Sequence, residues 1–159
     1  MTSPKLGDFC KLYCDTGSGT DPVWTEWGEI DGCSCSDLAR SSVELNVRSL
    51  KCKPSLAGKI NALTFGFKYY PGFNSENYSQ MISDFFDGPV VRKWAMLDGD
   101  IQDASEDNAV QGLVMPAYLE GFGYTQASGE AVSHDCTLKY GYMKSGDSVV
   151  EPEWVTFRS

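Results

Sequence analysis

Apolar and polar residues alternate along much of this chain. Between 132 and 142, Val132, His134, Cys136, Leu138, Tyr140 and Tyr142 interleave with Ser133, Asp135, Thr137, Lys139 and Gly141. A period of two sends one set to each face of a strand, so this stretch predicts a half-buried strand. Val43, Leu45 and Val47 alternate with Glu44, Asn46 and Arg48 in the same way over 41–48, and Leu63, Phe65, Phe67 and Tyr69 form another such face within 61–70. Weaker alternation predicts further strands at 8–14, 24–35, 90–97 and 109–119. Pro116 has no N–H to give a ladder, which predicts that its segment is an edge strand or is bulged there.

One segment breaks the period. Tyr78, Met81, Ile82, Phe85 and Phe86 fall at i, i+3, i+4, i+7 and i+8, the stripe of an amphipathic helix over about 75–87. Asn74 or Ser75 can cap its start, and Glu76 suits the first turn. Gly88-Pro89 ends it, because glycine takes the left-handed cap and proline cannot continue the helix. Turn-forming residues cluster at 15–22, 71–75, 98–108 and 145–148. The stretch 49–58, Ser-Leu-Lys-Cys-Lys-Pro-Ser-Leu-Ala-Gly, reads as a long connecting arm. The expected architecture is mainly β: an antiparallel β-sandwich or barrel with one short flanking α-helix and a long connecting arm, in a single domain over 1–159.

Composition agrees. Of the 159 residues, 42% are hydrophobic and 13% aromatic, a mix that suits pleated sheets with tight turns. No apolar run approaches the ~18 residues that would span a bilayer. The start, Met1-Thr2-Ser3-Pro4-Lys5-Leu6-Gly7-Asp8, has no apolar core of a secretion signal, which predicts folding in a cytoplasm. Cys10, Cys14, Cys33, Cys35, Cys52 and Cys136 are accordingly read as mostly free thiols.

Charge is lopsided. Residues 1–80 carry 8 Lys/Arg against 9 Asp/Glu, and residues 81–159 carry 5 against 13, which together give the net −9. No acid interrupts the cations Arg48, Lys51, Lys53, Lys59 and Lys68, whereas seven acids lie between Asp84 and Asp107. Such acidity opposes sequence-independent gripping of nucleic acid, which needs cations against phosphates.

Candidate chemistry is sparse. The one histidine, His134, falls on the apolar face of its strand and reads as a satisfied core or interface residue; no serine-nucleophile signature accompanies it. The run Asp98-Gly99-Asp100-Ile101-Gln102-Asp103 resembles a calcium loop only superficially. Asp103 and Ala109 stand where an EF-hand needs glycine and glutamate. Cys10, Cys14, Cys33 and Cys35 could supply four thiolates to zinc, but a C-x-C pair is rare in such sites, and on a strand Cys33 and Cys35 simply pack side by side. Gly121-Phe122-Gly123 lacks a phosphate-loop context. The sequence therefore calls for no catalytic residue, metal or cofactor, and points to a structural protein, not an enzyme.

The order of segments is itself informative. A Gly/Asp-rich loop leads into Trp24-Thr25-Glu26-Trp27-Gly28-Glu29-Ile30-Asp31-Gly32. The polar turn Ser36–Arg40, the alternating strand Ser41–Arg48, the arm, the aromatic strand 61–70, the helix and paired strands follow. This resembles the major tail tube proteins of long-tailed phages and the related tubes of contractile injection systems, in element order and length over nearly the whole chain. The resemblance implies a self-assembling subunit that forms hexameric rings stacked into a hollow tube, with sheets joined across subunits and DNA passing through without specific binding. It also implies other tail proteins (tape measure, terminator, tail tip) as partners, no membrane, and residence in a virion tail assembled in the host cytoplasm. On that footing Glu26, Glu29, Asp31 and Glu44, on an expected 24–48 hairpin, are either lumen-facing or ordinary outer-surface acids. The arm cations Arg48, Lys51, Lys53 and Lys59 are expected to dock on an acidic loop, Asp98, Asp100, Asp103, Glu106 and Asp107, of a neighbouring copy. The alternative is a monomeric β-sandwich that binds a ligand such as carbohydrate through Trp24, Trp27, Tyr70 and Phe73.

Overall fold

A computed structural model of the chain describes residues 11–27, 30–36, 38–71 and 75–158. Its strands are β1 (Lys11–Asp15), β2 (Trp24–Glu26), β3 (Ile30–Cys35), β4 (Arg40–Glu44), β5 (Ser55–Ile60), β6 (Thr64–Tyr69), β7 (Arg92–Leu97), β8 (Val110–Phe122), β9 (His134–Tyr140), β10 (Lys144–Ser145), β11 (Ser148–Val149) and β12 (Glu153–Phe157). Among the described residues there is one α-helix, α1, spanning Ser75–Phe86.

One antiparallel sheet of eight strands runs in the order β2-β1-β7-β8-β9-β6-β3, with β12 also paired to β8. It curls onto itself. Trp94 of β7 lies 6.2 Å, ring to ring, from Phe67 of β6. Those strands stand three places apart in the sheet, ~14 Å if it were flat, so the rings meet across a folded interior. Trp27 packs edge-on to Trp94 at 5.1 Å, and Phe65, Tyr69, Met115, Cys136 and Leu138 fill the same core. The expected β-sandwich is present.

The central strands β1, β7 and β8 are apolar on both faces. Trp94 and Met115 enter the main core, while Tyr13, Ala95, Leu97, Val110 and Val114 form a second cluster behind the sheet, covered by Ile101, Val155 and Phe157. Two-sided burial is why alternation is weak at 90–97 and 109–119. Pro116 is fully buried in β8 opposite Lys93, neither on an edge nor in a bulge. It sits where the β8 edge passes from β12, paired up to Val114, to β9, paired from Ala117, so its missing N–H interrupts neither ladder. The bulge comes later, between Leu119 and Gly121.

Helix α1 lies where its periodicity puts it. Trp27 Nε1 donates to Met81 Sδ at 3.1 Å, Tyr78 stacks on Tyr69, Phe85 meets Phe122, and Arg92 Nε donates to Asp84 at 2.9 Å. Gly88 follows with φ +116°, a conformation open to glycine and costly for other residues. Asn74, one of the expected caps, lies outside the described residues.

α1 packs beside Tyr69, His134 and Arg92. Beyond the main sheet the chain departs from expectation. Among the described residues β4 and β5 pair only with each other, and the expected arm 49–58 takes the form of the tip and part of the return strand of a hairpin. The strand expected over 41–48 ends at Glu44 as a ladder, although Leu45 N still donates to the Pro54 carbonyl at 2.8 Å.

Candidate assembly surfaces

Every residue from Arg40 to Ile60 except Gly58 is exposed. Register puts Val43 opposite Leu56 on one face of the hairpin, with Leu45 following two residues on, while Ser42, Glu44, Ser55 and Ala57 share the other. Val43 is 65% and Leu56 53% exposed. A lone two-stranded hairpin is marginal in water, and this one displays an apolar face that its own domain leaves uncovered. Of the arm cations, Lys53 lies 3.5 Å from Glu44 within the hairpin. Arg48 and Lys51 are exposed at the tip, and Lys59 is exposed on β5.

The acidic loop is partly committed to its own fold. Asp98 accepts from Gln111 N at 2.9 Å. Asp100 accepts from Gln102 N at 2.9 Å and from the Tyr13 hydroxyl at 3.1 Å, and Ile101 N donates to that same hydroxyl at 3.2 Å. Burial, with Asp100 adding to it, pushes the Tyr13 phenol up to about 12, so it stays a neutral donor. Asp103, Glu106 and Asp107 remain exposed.

Glu26, Asp31 and Glu44, the described candidates for lumen acids, do not share a hairpin. β2 pairs with β1, β3 with β6 and β4 with β5, which overturns the expected 24–48 hairpin. Glu26 is held by Lys11 at 2.7 Å. Glu44 stands on the exposed hairpin, and Glu29 lies outside the described residues. Asp31 sits in register with Lys68 and, across β6, Asp135; it belongs to a polar outer face that continues through Ser34, Thr64, Thr137 and Lys139.

Three strand borders, along β2, β3 and β12, have no further strand beside them among the described residues. Unpaired borders offer N–H and C=O groups to another chain.

Between the hairpin root and β12 lies an apolar trough of about 270 Å³, floored by Leu63 and Leu113 of the main core and lipped by Leu38, Ile60 and Trp154. Ile82 and Phe86 of α1 point outward, Phe86 71% exposed. The sequence held a signal for that ridge. Met81 with Ile82, and Phe85 with Phe86, are adjacent pairs, and successive residues on a helix are ~100° apart, so one sheet cannot cover all four.

His134 is 3% exposed. Its Nε2 and the Tyr78 hydroxyl are 3.0 Å apart, its Nδ1 is 3.1 Å from the Gly123 carbonyl, and its ring stacks on Phe122 at 4.2 Å. It is the satisfied core histidine its strand position predicted. Cys14, Cys35, Cys52 and Cys136 are free thiols; Cys33 and Cys35 both pack on the main core. Burial pushes the thiol of Cys136 up to about 12 and that of Cys14 higher still. Cys10 lies outside the described residues, among which no group of three or more His, Cys, Asp or Glu is placed to hold a metal. The aromatic platform of the alternative reading is not formed. Trp27 is 1% exposed in the core, Trp24 packs on the second cluster, Tyr70 is half-buried, and Phe73 lies outside the described residues. Among the described residues no helix is long and apolar enough to cross a membrane.

No family model matches the chain, and no curated protein matches it in sequence. Solved structures do match in shape. A chain from the tail of an empty gene transfer agent particle, resolved with C6 symmetry, superposes with a TM-score of 0.66 at 12% identity, covering 93% of this chain and 98% of that one. A chain of the SPP1 tail tube gives 0.62 at 16% identity over 98% and 80%. One from the extended sheath–tube complex of the extracellular contractile injection system PVC gives 0.58 at 9% over 96% and 93%. At such identities the likeness is one of fold, and it runs the length of the chain: this protein has the tail-tube fold of phage tails and contractile injection systems.

Proposed function

We propose that this chain is a structural subunit that closes into rings, hexameric by analogy with the C6 tail, and that the rings stack into a hollow tail tube in a virion, through which DNA passes. The observation that carries the reading is the hairpin β4–β5: an apolar face built by pairing Val43 with Leu56, extended from the domain and left bare. Solvent offers it nothing; a neighbouring copy does. The open borders of β2, β3 and β12 supply the second requirement, because ladder bonds to a neighbour can close a ring of finite circumference.

Charge sharpens the reading. The exposed tip cations Arg48 and Lys51 pair with the exposed acids Asp103, Glu106 and Asp107 of a neighbouring copy. The polar outer face of β3, β6 and β9, which includes Asp31, suits the tube lumen better than Glu26 or Glu44 does, since it is continuous and, among the described residues, no other layer packs on it. Terminator, tape-measure and tail-tip proteins are the expected further partners. Sedimentation velocity over a concentration series tests the reading. It predicts a ring-sized species and longer stacks as concentration rises; single chains at every concentration reject it.

A further inference from the structure

We propose that the polar face of β3, β6 and β9 is a guarded surface for a passing nucleic-acid duplex: its lysines, Lys68 and Lys139, are kept from gripping phosphate by carboxylates, two of which β-bulges aim beside them. The inference rests on the tube reading and names what the lumen face does to the polymer inside it.

Strand register builds the face. Asp31 of β3, Lys68 of β6 and Asp135 of β9 stand in one row across three strands. Ser34, Gly66 and Thr137 form the next row, and Thr64 and Lys139 the one after, with Tyr118 of β8 beside Lys139. Among the described residues these rows hold two cations, and each has acids for neighbours. Directly opposed side chains of an antiparallel pair lie ~5 Å apart at Cβ, so Lys68 has a carboxylate on either side. Lys139 Nζ lies 3.5 Å from Glu120 Oε2.

Two of the three acids owe their places to departures from regular pleating. In β3 the register shifts between Asp31 and Cys33, at Gly32, whose φ of +67° is open to glycine. Cys33 stands opposite Phe67 and packs on the core. Alternation counted back from it would turn Asp31 inward and Ile30 outward. The bulge reverses this, so that Ile30 packs on the core and Asp31 faces Lys68. In β8 the shift lies between Leu119 and Gly121. Leu119 and Phe122 both pack on the core, although they stand an odd number of residues apart. The residue inserted between them is Glu120, which reaches Lys139 on the outer face. Bulges re-aim side chains, and both of these re-aim an acid toward a lysine.

Electrostatics gives the arrangement its effect. Each phosphate neutralised by a bare cation releases counterions and tightens binding, with a salt slope of ~0.9 per contact. Acids ~5 Å from a lysine lie well inside the Debye length of ~8 Å at physiological ionic strength. A phosphate approaching from beyond that distance meets the sum of the row, not the lysine alone.

The test uses the full chain and a short fluorescently labelled DNA duplex, read by anisotropy at low and physiological salt. Asp31→Asn, Glu120→Gln and Asp135→Asn together should raise duplex affinity by about tenfold or more at low salt, and the gain should fade as salt rises. Adding Lys68→Gln and Lys139→Gln should abolish it. Asp103→Asn, Glu106→Gln and Asp107→Asn change the net charge equally on the exposed loop and should give no such gain. No gain from the face variant, a gain that outlasts removal of the lysines, or an equal gain from the loop variant overturns the proposal. Sedimentation of the same samples keeps this separate from the tube reading. Wild-type rings without a gain in the face variant overturn the guarded lysines alone, whereas a gain with no rings in any sample rejects the tube and leaves the guarded lysines standing.

Discussion

Replacing Val43 and Leu56 by serine separates what the hairpin does for the domain from what it does for assembly. Both side chains are more than half exposed, 65% and 53%, and they stand opposite each other in a two-stranded ladder. Exposed substitutions of this kind usually change stability by no more than ~0.5 kcal/mol, so the subunit should melt within ~2 °C of wild type. Full burial of a valine or leucine is favourable by ~1.5–3 kcal/mol. With over half of that burial still unclaimed in the free chain, each side chain has ~1–2 kcal/mol to gain from a neighbour, and the pair ~2–4 kcal/mol. At 1.4 kcal/mol per factor of ten, the double variant should weaken each hairpin contact by ~30- to 700-fold. Thermal melting and sedimentation velocity on the same samples read the two effects. An unchanged melting temperature with assembly pushed to far higher concentration is the expected result. Assembly at the wild-type concentration would refute the reasoning, because the apolar face would then have no partner.

Other perturbations probe separate parts of the account. Lys51→Glu with Lys53→Glu should impair ring formation seen by negative-stain microscopy without lowering stability, and undiminished rings would reject docking of the hairpin cations on the acidic loop. Burial holds His134 below its ordinary 6.5, so the folded state prefers the neutral ring and the unfolded chain takes up the proton first. Stability should therefore be complete above about 6.5 and fall as pH drops below it; urea unfolding at pH 7.5 and 5.5 measures this, and His134→Gln should shrink the difference. A Cβ at Gly112 would lie 2.9 Å from Leu97 Cα and closer still to the Met96 carbonyl oxygen, so Gly112→Ala should wedge β7 from β8 at the upper end of the ~1–3 kcal/mol cost of overpacking. Urea titration checks it, and a wild-type midpoint would show that the strands can yield. Under native conditions a thiol reagent should modify Cys52 well before Cys14 or Cys136, which burial keeps protonated; equal rates would contradict the packing.

Alternation made some of this architecture legible and misled elsewhere, for physical reasons. β6 and β9 bury one face and expose the other, so Phe65, Phe67, Tyr69, Cys136 and Leu138 announced themselves by period. The central β8 buries six consecutive residues, Gly112 to Ala117, and two-sided burial erases the period. Val43, Leu45 and Val47 alternate as clearly as any core strand, yet their domain leaves them in solvent. An amphipathic pattern records that a face wants cover, not which molecule covers it. For that reason 41–48 read as a core strand and 49–58 as an arm, when the two are sides of one exposed hairpin. The candidate acids fared similarly. Nearness in sequence grouped Glu26, Asp31 and Glu44, whereas strand pairing, which local pattern does not encode, sends them to three different ladders. The single helix and its stop at Gly88 depended only on local spacing and cap chemistry, and both were readable.

The central claim is that sister copies complete what this chain leaves open. Electron microscopy of the concentrated wild-type protein tests it most directly. The account predicts hollow tubes whose end views average to six-fold rings with a central channel; a field of single compact particles at every concentration, with the hairpin still bare, would contradict it.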